Sequence, residues 1–307
     1  MNSVKNKYIL FGPGLMAQKH YAEFTKRNIS LVGVYSPNVI QSHIFKDIQH
    51  YNNINDLDAV DFDFGVITSP NYFHYEQIIY LVNRNKPIFV EKPLVVNLSQ
   101  INELKKIGTN LSNVFVSFNL RYLEQTQRLL NTNLEPYSTI DIKWCRSITS
   151  SNKWSKNKSI SGGGILIDWG VHAFDLLSYL LNDELSLTSI EFTNIVNGID
   201  YAFKLILSSS SSKISVNMSW MEDIKKEPLT MKLSNNNSSI IWKKSNNSLE
   251  YINANSKAKA NINTISMYDY FIEKYVHNTN ETITERSNNI NSYISTALLI
   301  DKCYKHL

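Results

Sequence analysis

A glycine-rich turn stands directly between a strand and a helix near the start of the chain. Lys7–Phe11 is a short run of β-forming residues, Gly12–Ala17 reads G-P-G-L-M-A, and an amphipathic pattern follows over Leu15–Arg27. A G-x-G-x-x-G/A match in this context is typical of a dinucleotide-binding unit. An ordinary structural turn is the alternative, and the strands that follow weigh against it.

Each position of the turn has its own expected part. Gly12 would allow the tight turn, Gly14 would let the backbone approach a pyrophosphate, and Ala17 would permit close packing of helix on sheet. The pyrophosphate is expected at the amides of the helix start, at Leu15 and Met16, where the helix dipole favours an anion.

Strands and helices alternate through the first 119 residues. Further strands are predicted at 29–35, 63–68, 87–90 and 113–118, and further helices at 72–85 and at 99–106, the last capped by Ser99. Such alternation requires right-handed crossovers and therefore a mainly parallel, doubly wound sheet.

The rhythm changes after about residue 120. Helices are predicted at 124–130, 162–181, 264–278 and 287–304, and strands at 138–145, 187–194, 201–207, 213–220, 229–233 and 239–243. Strands in succession without helices indicate an antiparallel sheet. The predicted fold class is α/β followed by α+β with an open, mainly antiparallel sheet. The predicted domains are 1–119 and 120–307. Strands are indistinct in the polar region 235–263.

Composition excludes several classes of protein. The 31 lysines and arginines against 27 acidic residues are scattered, so neither a nucleic-acid nor a membrane-surface partner is expected. Cys145 and Cys303 lack C-x-x-C spacing, so no cysteine metal site or disulfide framework is expected. With no signal-like start and no run approaching about 18 apolar residues, a cytoplasmic protein is predicted.

The end of the second strand bears on the choice of dinucleotide. An acidic residue usually follows this strand and binds the adenosine ribose of NAD, but here the positions hold Ser36, Pro37 and Asn38. Without a carboxylate at this position, nothing repels the 2′-phosphate of NADP, although no arginine or lysine stands there to bind it. NAD and NADP both stay open, with NADP slightly favoured.

Lys92 is the first candidate for the chemistry. It lies in the segment Glu91–Pro93 at the carboxyl end of the fourth predicted strand. Ligands of open α/β sheets bind outside the carboxyl ends of the strands, so a lysine here can face a cofactor. The alternative is a solvated charge pair at a loop mouth.

A carboxylate and an imidazole share the predicted helix at 162–181. Asp168, His172 and Asp175 are spaced four and three apart and fall on one face of a helix. A carboxylate beside an imidazole raises its basicity, which suits an acid/base group working near neutral pH. A solvated Asp-His pair is one alternative and a metal pair another, but no further His or Cys group supplies the remaining metal ligands.

Five segments in this order resemble the glucose-fructose oxidoreductase / inositol dehydrogenase / rhizopine-catabolism (Gfo/Idh/MocA) oxidoreductase family. They are the glycine turn followed by His20, Thr68–Asn71 with His74, Glu91–Pro93, Phe118–Tyr122, and Gly162–Asp175. The resemblance implies an N-terminal Rossmann domain that binds NAD(P), and a C-terminal α+β domain whose sheet commonly packs on another subunit. A homodimer or homotetramer is therefore expected.

The resemblance also implies roles for individual residues. Lys92 would contact the nicotinamide region and the reacting hydroxyl, His172 would be the acid/base, and Asp168 its partner, helping to hold the substrate. The cofactor cleft would include Thr68, Ser69, Pro70, Asn71, His74 and Glu91, together with Ser36 at the ribose end, while Asn119 and Arg121 would lie near substrate or cofactor. The Lys92–Pro93 peptide is expected to be cis.

The implied activity is hydride transfer between nicotinamide and a hydroxyl or keto carbon of a sugar, cyclitol or nucleotide sugar. One alternative is a dinucleotide-sensing regulator without catalysis, which the presence of Lys92, Asp168 and His172 disfavours. Another is a C=C or C=N reductase resembling biliverdin reductase. The Y-x-x-x-K pattern of short-chain dehydrogenases occurs at Tyr270–Lys274, but it comes too late in the chain for that superfamily.

Overall fold

The computed structural model describes residues 6–38, 42–130, 137–147, 153–221, 228–246, 248–252, 264–278 and 283–307. The chain divides into two units. Unit 1 comprises Met1–Ser117 and Ser266–Asn291, and unit 2 comprises Phe118–Ile265 and Ser292–Leu307. This division differs from the predicted boundary at 119/120, because a segment late in the chain returns to the first unit.

Unit 1 contains a six-stranded, all-parallel sheet in the order β3-β2-β1-β4-β5-β6. The strands are β1 (Lys7–Phe11), β2 (Ser30–Tyr35), β3 (His50–Tyr51), β4 (Phe64–Ile67), β5 (Ile88–Val90) and β6 (Val114–Val116). This is the order of the Rossmann fold, and its switch point lies between β1 and β4. The predicted parallel doubly wound sheet is confirmed, although β3, with only two residues, escaped prediction.

Three helices connect these strands: α1 (Leu15–Lys26), α2 (His74–Val82) and α3 (Leu98–Ile107). The prediction that Ser99 caps α3 was wrong, since Ser99 lies inside the helix. The side-chain oxygen of Asn97 instead accepts a hydrogen bond from the amide of Gln100 at 3.0 Å. An asparagine in this position satisfies an amide that has no partner within the helix.

The returning segment of unit 1 carries α7 (Met267–Phe271) and a π-helical turn, Ile272–Val276. Phe271 is fully buried, and its ring lies 5.3 Å from the rings of both Phe64 and Phe89. Tyr268 stacks on Phe89 with ring centroids 5.7 Å apart. These contacts explain why a segment so distant in sequence belongs to unit 1, because its aromatic side chains complete the apolar layer on β4 and β5.

Unit 2 contains a seven-stranded sheet in the order β13-β12-β11-β7-β10-β9-β8. Its strands are β7 (Thr139–Cys145), β8 (Ser186–Val196), β9 (Ile199–Ser208), β10 (Lys213–Ser219), β11 (Leu229–Ser234), β12 (Ser239–Lys243) and β13 (Ser248–Ile252). All neighbours are antiparallel except β7 and β10. The mainly antiparallel sheet is confirmed; β13 was not predicted, and residues 253–263 of the polar region lie outside the described residues.

The helices of unit 2 include α4 (Glu124–Leu130), α5 (Lys158–Ser161) and α6 (Val171–Leu181), and α8 (Ile283–Tyr304) ends in this unit. A π-helical turn, Leu166–Gly170, leads directly into α6. By length and composition Lys158–Leu181 could cross a membrane, contrary to the sequence expectation, but 67% of its most apolar window is buried inside the structure. Burial of this kind is typical of the core helix of a globular domain.

Replacing Phe271 tests the place of the returning segment. Phe271→Ala removes a fully buried ring and should lower the free energy of unfolding by about 3–5 kcal/mol. Chemical denaturation measures the change. Ile44→Ala, at a half-exposed side chain of unit 1, is the control and should cost far less. Equal effects of the two variants would contradict the packing described.

Candidate active site

The turn after β1 is locked against the end of β4. Gly12 has a φ of +86°, and a Cβ atom there would lie 2.4 Å from the Cα atom of Ser69. The Gly12 amide donates to the Tyr35 carbonyl at 3.0 Å, and the Thr68 hydroxyl donates to the Gly12 carbonyl at 2.6 Å. Only glycine combines this conformation with this approach. Thr68 and Ser69 therefore shape the turn from the neighbouring strand.

The next part of the turn is open. Gly14 precedes α1 with a φ of −84°, and a Cβ atom there would meet nothing within 4 Å. Leu15 is 64% exposed, and the first turn of α1 has no acidic residue. The amides of Leu15 and Met16 have no acceptor within the helix. An anion therefore finds unused donors and no opposing charge here.

His74 holds two loops together. Its Nε2 and Nδ1 atoms lie 2.8 Å from the carbonyl oxygens of Ser69 and Pro93 respectively. The side chain is completely buried, and this burial lowers the pKa of His74, although both carbonyls favour the protonated ring. His74 is predicted to line the cofactor cleft, and in the structure its ring positions the loops after β4 and β5.

The other residues of this loop differ in accessibility. Ser69 donates its hydroxyl hydrogen bond to the Gln77 side chain at 2.7 Å. Asn71 is largely buried, whereas Pro70 is partly exposed. Tyr72 and Phe73, next along the chain, are 51% and 36% exposed. Exposed aromatic rings at the carboxyl edge of a parallel sheet are a feature that the sequence analysis overlooked.

Glu91 is held by a chain of hydrogen bonds that runs through His20 to Tyr268. His20 Nε2 lies 2.8 Å from Glu91 Oε1, and His20 Nδ1 lies 2.9 Å from the Tyr268 hydroxyl. Because a carboxylate only accepts hydrogen bonds, Nε2 of His20 is the donor to Glu91. Burial by itself raises the pKa of Glu91, but the hydrogen bond and charge of His20, with the charge of Lys92, lower it below its ordinary value.

Lys92 follows Glu91 at the end of β5 and is partly exposed. The Lys92–Pro93 peptide is cis, as predicted. Since Glu91 is held by His20, which Tyr268 holds in turn, it fixes the backbone from which Lys92 extends. Tyr268 lies in the returning segment, and no motif in the sequence linked it to Glu91.

Ser36 directly follows β2 and is largely buried. Its amide donates to the Tyr51 carbonyl at 3.0 Å, and its hydroxyl accepts from the Asn38 amide at 3.2 Å. Its carbonyl oxygen lies 2.9 Å from His50 Nε2. The short strand β3 thus builds the site at which a ribose acid would stand in other dinucleotide-binding proteins.

In unit 2, Asp200 caps the start of the segment that carries Asp168 and His172. Its carboxylate oxygens accept from the amides of Gly164 and Leu166, both at 2.8 Å. The hydroxyl of Tyr304 donates to the same carboxylate at 2.9 Å. No sequence pattern indicates these roles of Asp200 and Tyr304, because the bonds join residues 34 to 104 positions apart.

Two of the three glycines are required by these contacts. A Cβ atom on Gly163 would lie 2.1 Å from the Tyr304 hydroxyl oxygen, and one on Gly164 would lie 2.0 Å from the Asp200 carbonyl oxygen. The third, Gly162, ends α5 in the left-handed conformation with a φ of +84°. The glycine run is therefore a packing feature of unit 2.

Asp168 and His172 lie on either side of a change in helix type. Asp168 belongs to the π-helical turn and is partly exposed, while His172 lies in the first turn of α6 and is 9% exposed. The His172 ring lies 6.2 Å from that of Trp144, which stacks on Trp169 at 4.8 Å. The expectation of a single regular helical face was thus wrong for the part before residue 171.

Asp175 and Arg121 form a buried ion pair. Arg121 Nε donates to Asp175 Oδ2 at 2.7 Å, its Nη2 also bonds Asp175 and the Ser292 hydroxyl, and its guanidinium lies 4.7 Å from the centre of the Tyr179 ring. Burial by itself lowers the pKa of Arg121, but the adjacent carboxylate raises it. Arg121 is predicted to contact cofactor or substrate, and Asp175 to share a helix face with His172; in the structure Arg121 and Asp175 bind each other and hold α6 in place.

The predicted residues fall into both units. Gly12, Gly14, Ser36, Thr68–Asn71, His74, Glu91 and Lys92 belong to unit 1, and Asn119, Arg121, Asp168 and His172 belong to unit 2. Asn119, in a 3-10 turn beside the buried Arg121, is exposed. No group of three or more His, Cys, Asp or Glu side chains suited to a metal occurs among the residues that the structure describes.

The lowered pKa of Glu91 predicts a pH-dependent contribution to stability. A depressed carboxyl pKa stabilises the fold above the ordinary value of 4.5, and this stabilisation is lost as the pH falls through the folded-state pKa. Glu91→Gln should therefore cost about 1–3 kcal/mol at pH 7 and progressively less below pH 4.5. Denaturation curves across pH measure the difference. The exposed Glu76→Gln is the control, and a pH-independent cost at Glu91 would contradict the ion pair.

Comparisons with known proteins agree with this architecture. The family model "Oxidoreductase family, NAD-binding Rossmann fold" matches residues 6–119, and "GFO/IDH/MocA C-terminal domain" matches residues 137–234. The NAD-binding protein from Listeria innocua superposes with a TM-score of 0.81 at 18% identity, covering 98% of this chain and 94% of that protein.

Two relatives have named activities. Glucose-6-phosphate 3-dehydrogenase of Bacillus subtilis is 26% identical over 195 residues, 59% of this chain and 55% of its own length. D-glucoside 3-dehydrogenase of Escherichia coli is 28% identical over 197 residues, with the same two shares of 59% and 55%. This chain thus matches about half the length of each. With both family models matched in order, the chain belongs to the GFO/IDH/MocA oxidoreductase family.

Proposed function

We propose that this protein is an NAD(P)-dependent dehydrogenase acting on a hydroxyl or keto carbon of a sugar or nucleotide sugar. The observation that carries the proposal is the turn at the switch point of the parallel sheet, which is locked at Gly12 and open at Gly14. A turn with only a structural role would not need to leave the start of α1 uncovered.

The residues present fit a dinucleotide. The amides of Leu15 and Met16 would hold the pyrophosphate, and the open surface at Gly14 gives it room. At the ribose end Ser36 offers a hydroxyl rather than a carboxylate. A hydroxyl accepts either an unmodified ribose or a 2′-phosphate, so we expect binding of both NAD and NADP, with NADP slightly favoured.

When bound, the nicotinamide accepts or supplies the hydride. In oxidation, His172 takes the proton of the substrate hydroxyl, and the ammonium group of Lys92 stabilises the negative charge that develops on that oxygen. In reduction the proton returns from His172. Asp168 helps to hold the substrate, and Asn119, which is exposed, is free to contact it.

The substrate class is supported by the two relatives, whose names specify oxidation of glucose 6-phosphate and of a glucoside. Both substrates are hexose derivatives that present several secondary hydroxyls. A site with one acid/base and one fixed cation suits removal of hydride from such a carbon.

Paired glycine variants test the cofactor site. Gly14→Ala places a methyl group where the protein has open space, so the melting temperature without ligand should stay near wild type while the stabilisation by NAD or NADP falls. Gly12→Ala forces a contact with Ser69 and should destabilise the protein itself. Thermal shifts with each nucleotide separate these effects, since stabilisation follows the ratio of ligand concentration to Kd. A full nucleotide shift in Gly14→Ala would contradict the proposed site.

Removing either proposed catalytic side chain should abolish most turnover. His172→Ala and Lys92→Ala should each lower kcat by about 10²–10⁴-fold, the typical contribution of acid/base groups, while the thermal shift with nucleotide persists. Asp141→Ala, at an exposed position of β7, is the control. Wild-type turnover in either catalytic variant would contradict its assignment.

A further inference from the structure

Tyr268 enters unit 1 from the returning segment, and its ring and its hydroxyl make separate contacts. The ring stacks on Phe89 with centroids 5.7 Å apart and an interplanar angle of 8°, and it meets Phe24 edge-on at 5.3 Å. The hydroxyl lies 2.9 Å from Nδ1 of His20. A phenylalanine would supply the same ring contacts, so packing of the aromatic cluster does not account for the hydroxyl.

Tyr8 belongs to the same aromatic cluster and provides a comparison. Its ring stacks on Phe64 with centroids 5.4 Å apart and lies 5.1 Å from the ring of Phe24. The Tyr8 hydroxyl is buried and bonds no group in the part of the chain that the structure describes. The two tyrosines thus share an aromatic environment but differ in the bonding of their hydroxyls.

The polar chain that begins at Tyr268 ends next to Lys92. His20 is 1% exposed, and its Nε2 donates to the Glu91 carboxylate at 2.8 Å. Burial raises the pKa of Tyr268 and keeps its hydroxyl neutral. Such a hydroxyl can donate or accept, so its bond to His20 forms whether the ring is neutral or protonated. The chain therefore orients Glu91, which Lys92 follows directly in sequence.

The returning segment is itself tied to α1, the helix that carries His20. Arg27 donates to Asp269 at 2.6 Å and to the Ser266 hydroxyl at 2.8 Å, and this hydroxyl accepts from the amide of Asp269 at 3.1 Å. The Arg27 guanidinium lies 5.1 Å from the centre of the Tyr268 ring. These bonds hold the chain on both sides of Tyr268, so its hydroxyl is fixed in place beside His20.

Buried polar groups also cost stability unless all of them are bonded. Replacing a buried polar pair with apolar side chains of similar size is often neutral or stabilising. Folding alone therefore does not require the chain from Tyr268 to Glu91 in the midst of an aromatic cluster. Its position next to Lys92 gives it a use in the candidate site.

We propose that Tyr268 is a positioning residue for the reaction, acting on Lys92 through His20 and Glu91. This inference rests on the proposed role of Lys92 in stabilising negative charge on the substrate oxygen. A cation can do so only when it is held in the correct place, since a misplacement of about 1 Å in a site can cost about 10²-fold in rate. The returning segment, which contains none of the residues predicted for the site, thereby contributes to catalysis.

Steady-state kinetics of a double-mutant cycle test the assignment. The variants are Tyr268→Phe, Glu91→Gln and the two combined, and Lys92→Ala is the reference for full loss of the cation. Tyr8→Phe is the matched control, because it removes a buried hydroxyl from the same aromatic cluster. The substrates are glucose 6-phosphate and methyl β-D-glucopyranoside, each with NAD and with NADP. All assays are run well below the lowest melting temperature among the variants.

Tyr268→Phe should lower kcat by roughly three- to tenfold, the loss expected for one buried hydrogen bond, and leave KM for the sugar near wild type. This split between kcat and KM marks an interaction that counts in the transition state. In the Glu91→Gln background the same change should lower kcat by less than about twofold, because residues of one chain are not independent. Tyr8→Phe should match wild type.

If Lys92→Ala is impaired, wild-type kcat in Tyr268→Phe would overturn the inference and leave the dehydrogenase proposal standing. Equal effects of Tyr268→Phe and Tyr8→Phe, or additive effects of Tyr268→Phe and Glu91→Gln, would overturn it in the same way. Wild-type turnover in Lys92→Ala would overturn both the inference and the role proposed for Lys92.

Absence of turnover with both sugars would count against the proposed function, and a measurement without substrate then decides the inference. Acetic anhydride acetylates lysine amines, and mass spectrometry gives the labelling of Lys92 relative to Lys19, which is exposed on α1. This ratio should differ from wild type in Tyr268→Phe and equal it in Tyr8→Phe. A wild-type ratio in Tyr268→Phe would overturn the inference.

Discussion

The contact on which unit 1 depends is the approach of the Ser69 backbone to Gly12. A side chain at residue 12 would lie 2.4 Å from the neighbouring main chain, so the carboxyl ends of β1 and β4 can come together only around a glycine. This approach fixes the direction in which the chain leaves β1. It thereby places the start of α1, with its unused amides, at the switch point where ligands of doubly wound sheets bind.

Unit 2 depends on a similar constraint built from different groups. Gly163 and Gly164 leave space for Tyr304 and for Asp200, whose carboxylate accepts two amide hydrogen bonds at the start of the helical segment. The amides that bind this carboxylate would otherwise lack partners. In both units the amides at the start of a helical segment can bind an anion. In unit 1 these amides are left open to a ligand, whereas in unit 2 the protein itself supplies the carboxylate.

Local patterns predicted most of the fold, and failed where long-range contacts decide. The alternation of strands and helices predicted five of the six parallel strands, because each buried run ends in a clear turn. Strand β3 has two residues and no pattern, and the return of Tyr268 and Phe271 to unit 1 depends on packing between residues some 180 to 200 positions apart. A hydrophobic pattern within a short stretch of sequence does not reveal contacts between residues so far apart.

The candidate site shows the same limit in its charged groups. Arg121, Asp175, His74 and Glu91 were selected from the sequence as site residues or as neighbours of one, and the structure gives all four to internal contacts that hold loops and helices. A motif identifies residues that a site requires but does not separate those that touch a ligand from those that position others. Burial separates them: a charge that is buried must have a partner within the protein.

The groups that remain available to a ligand are therefore the accessible ones, and they differ in chemistry from one part of the protein to another. Near the glycine turn the available groups are backbone amides, which suit the diphosphate of any dinucleotide. Near His172 the accessible group is the partly exposed indole of Trp169, which stacks on Trp144. Backbone amides recognise charge, whereas an indole face recognises an apolar ring, so the two surfaces suit ligands of different chemistry.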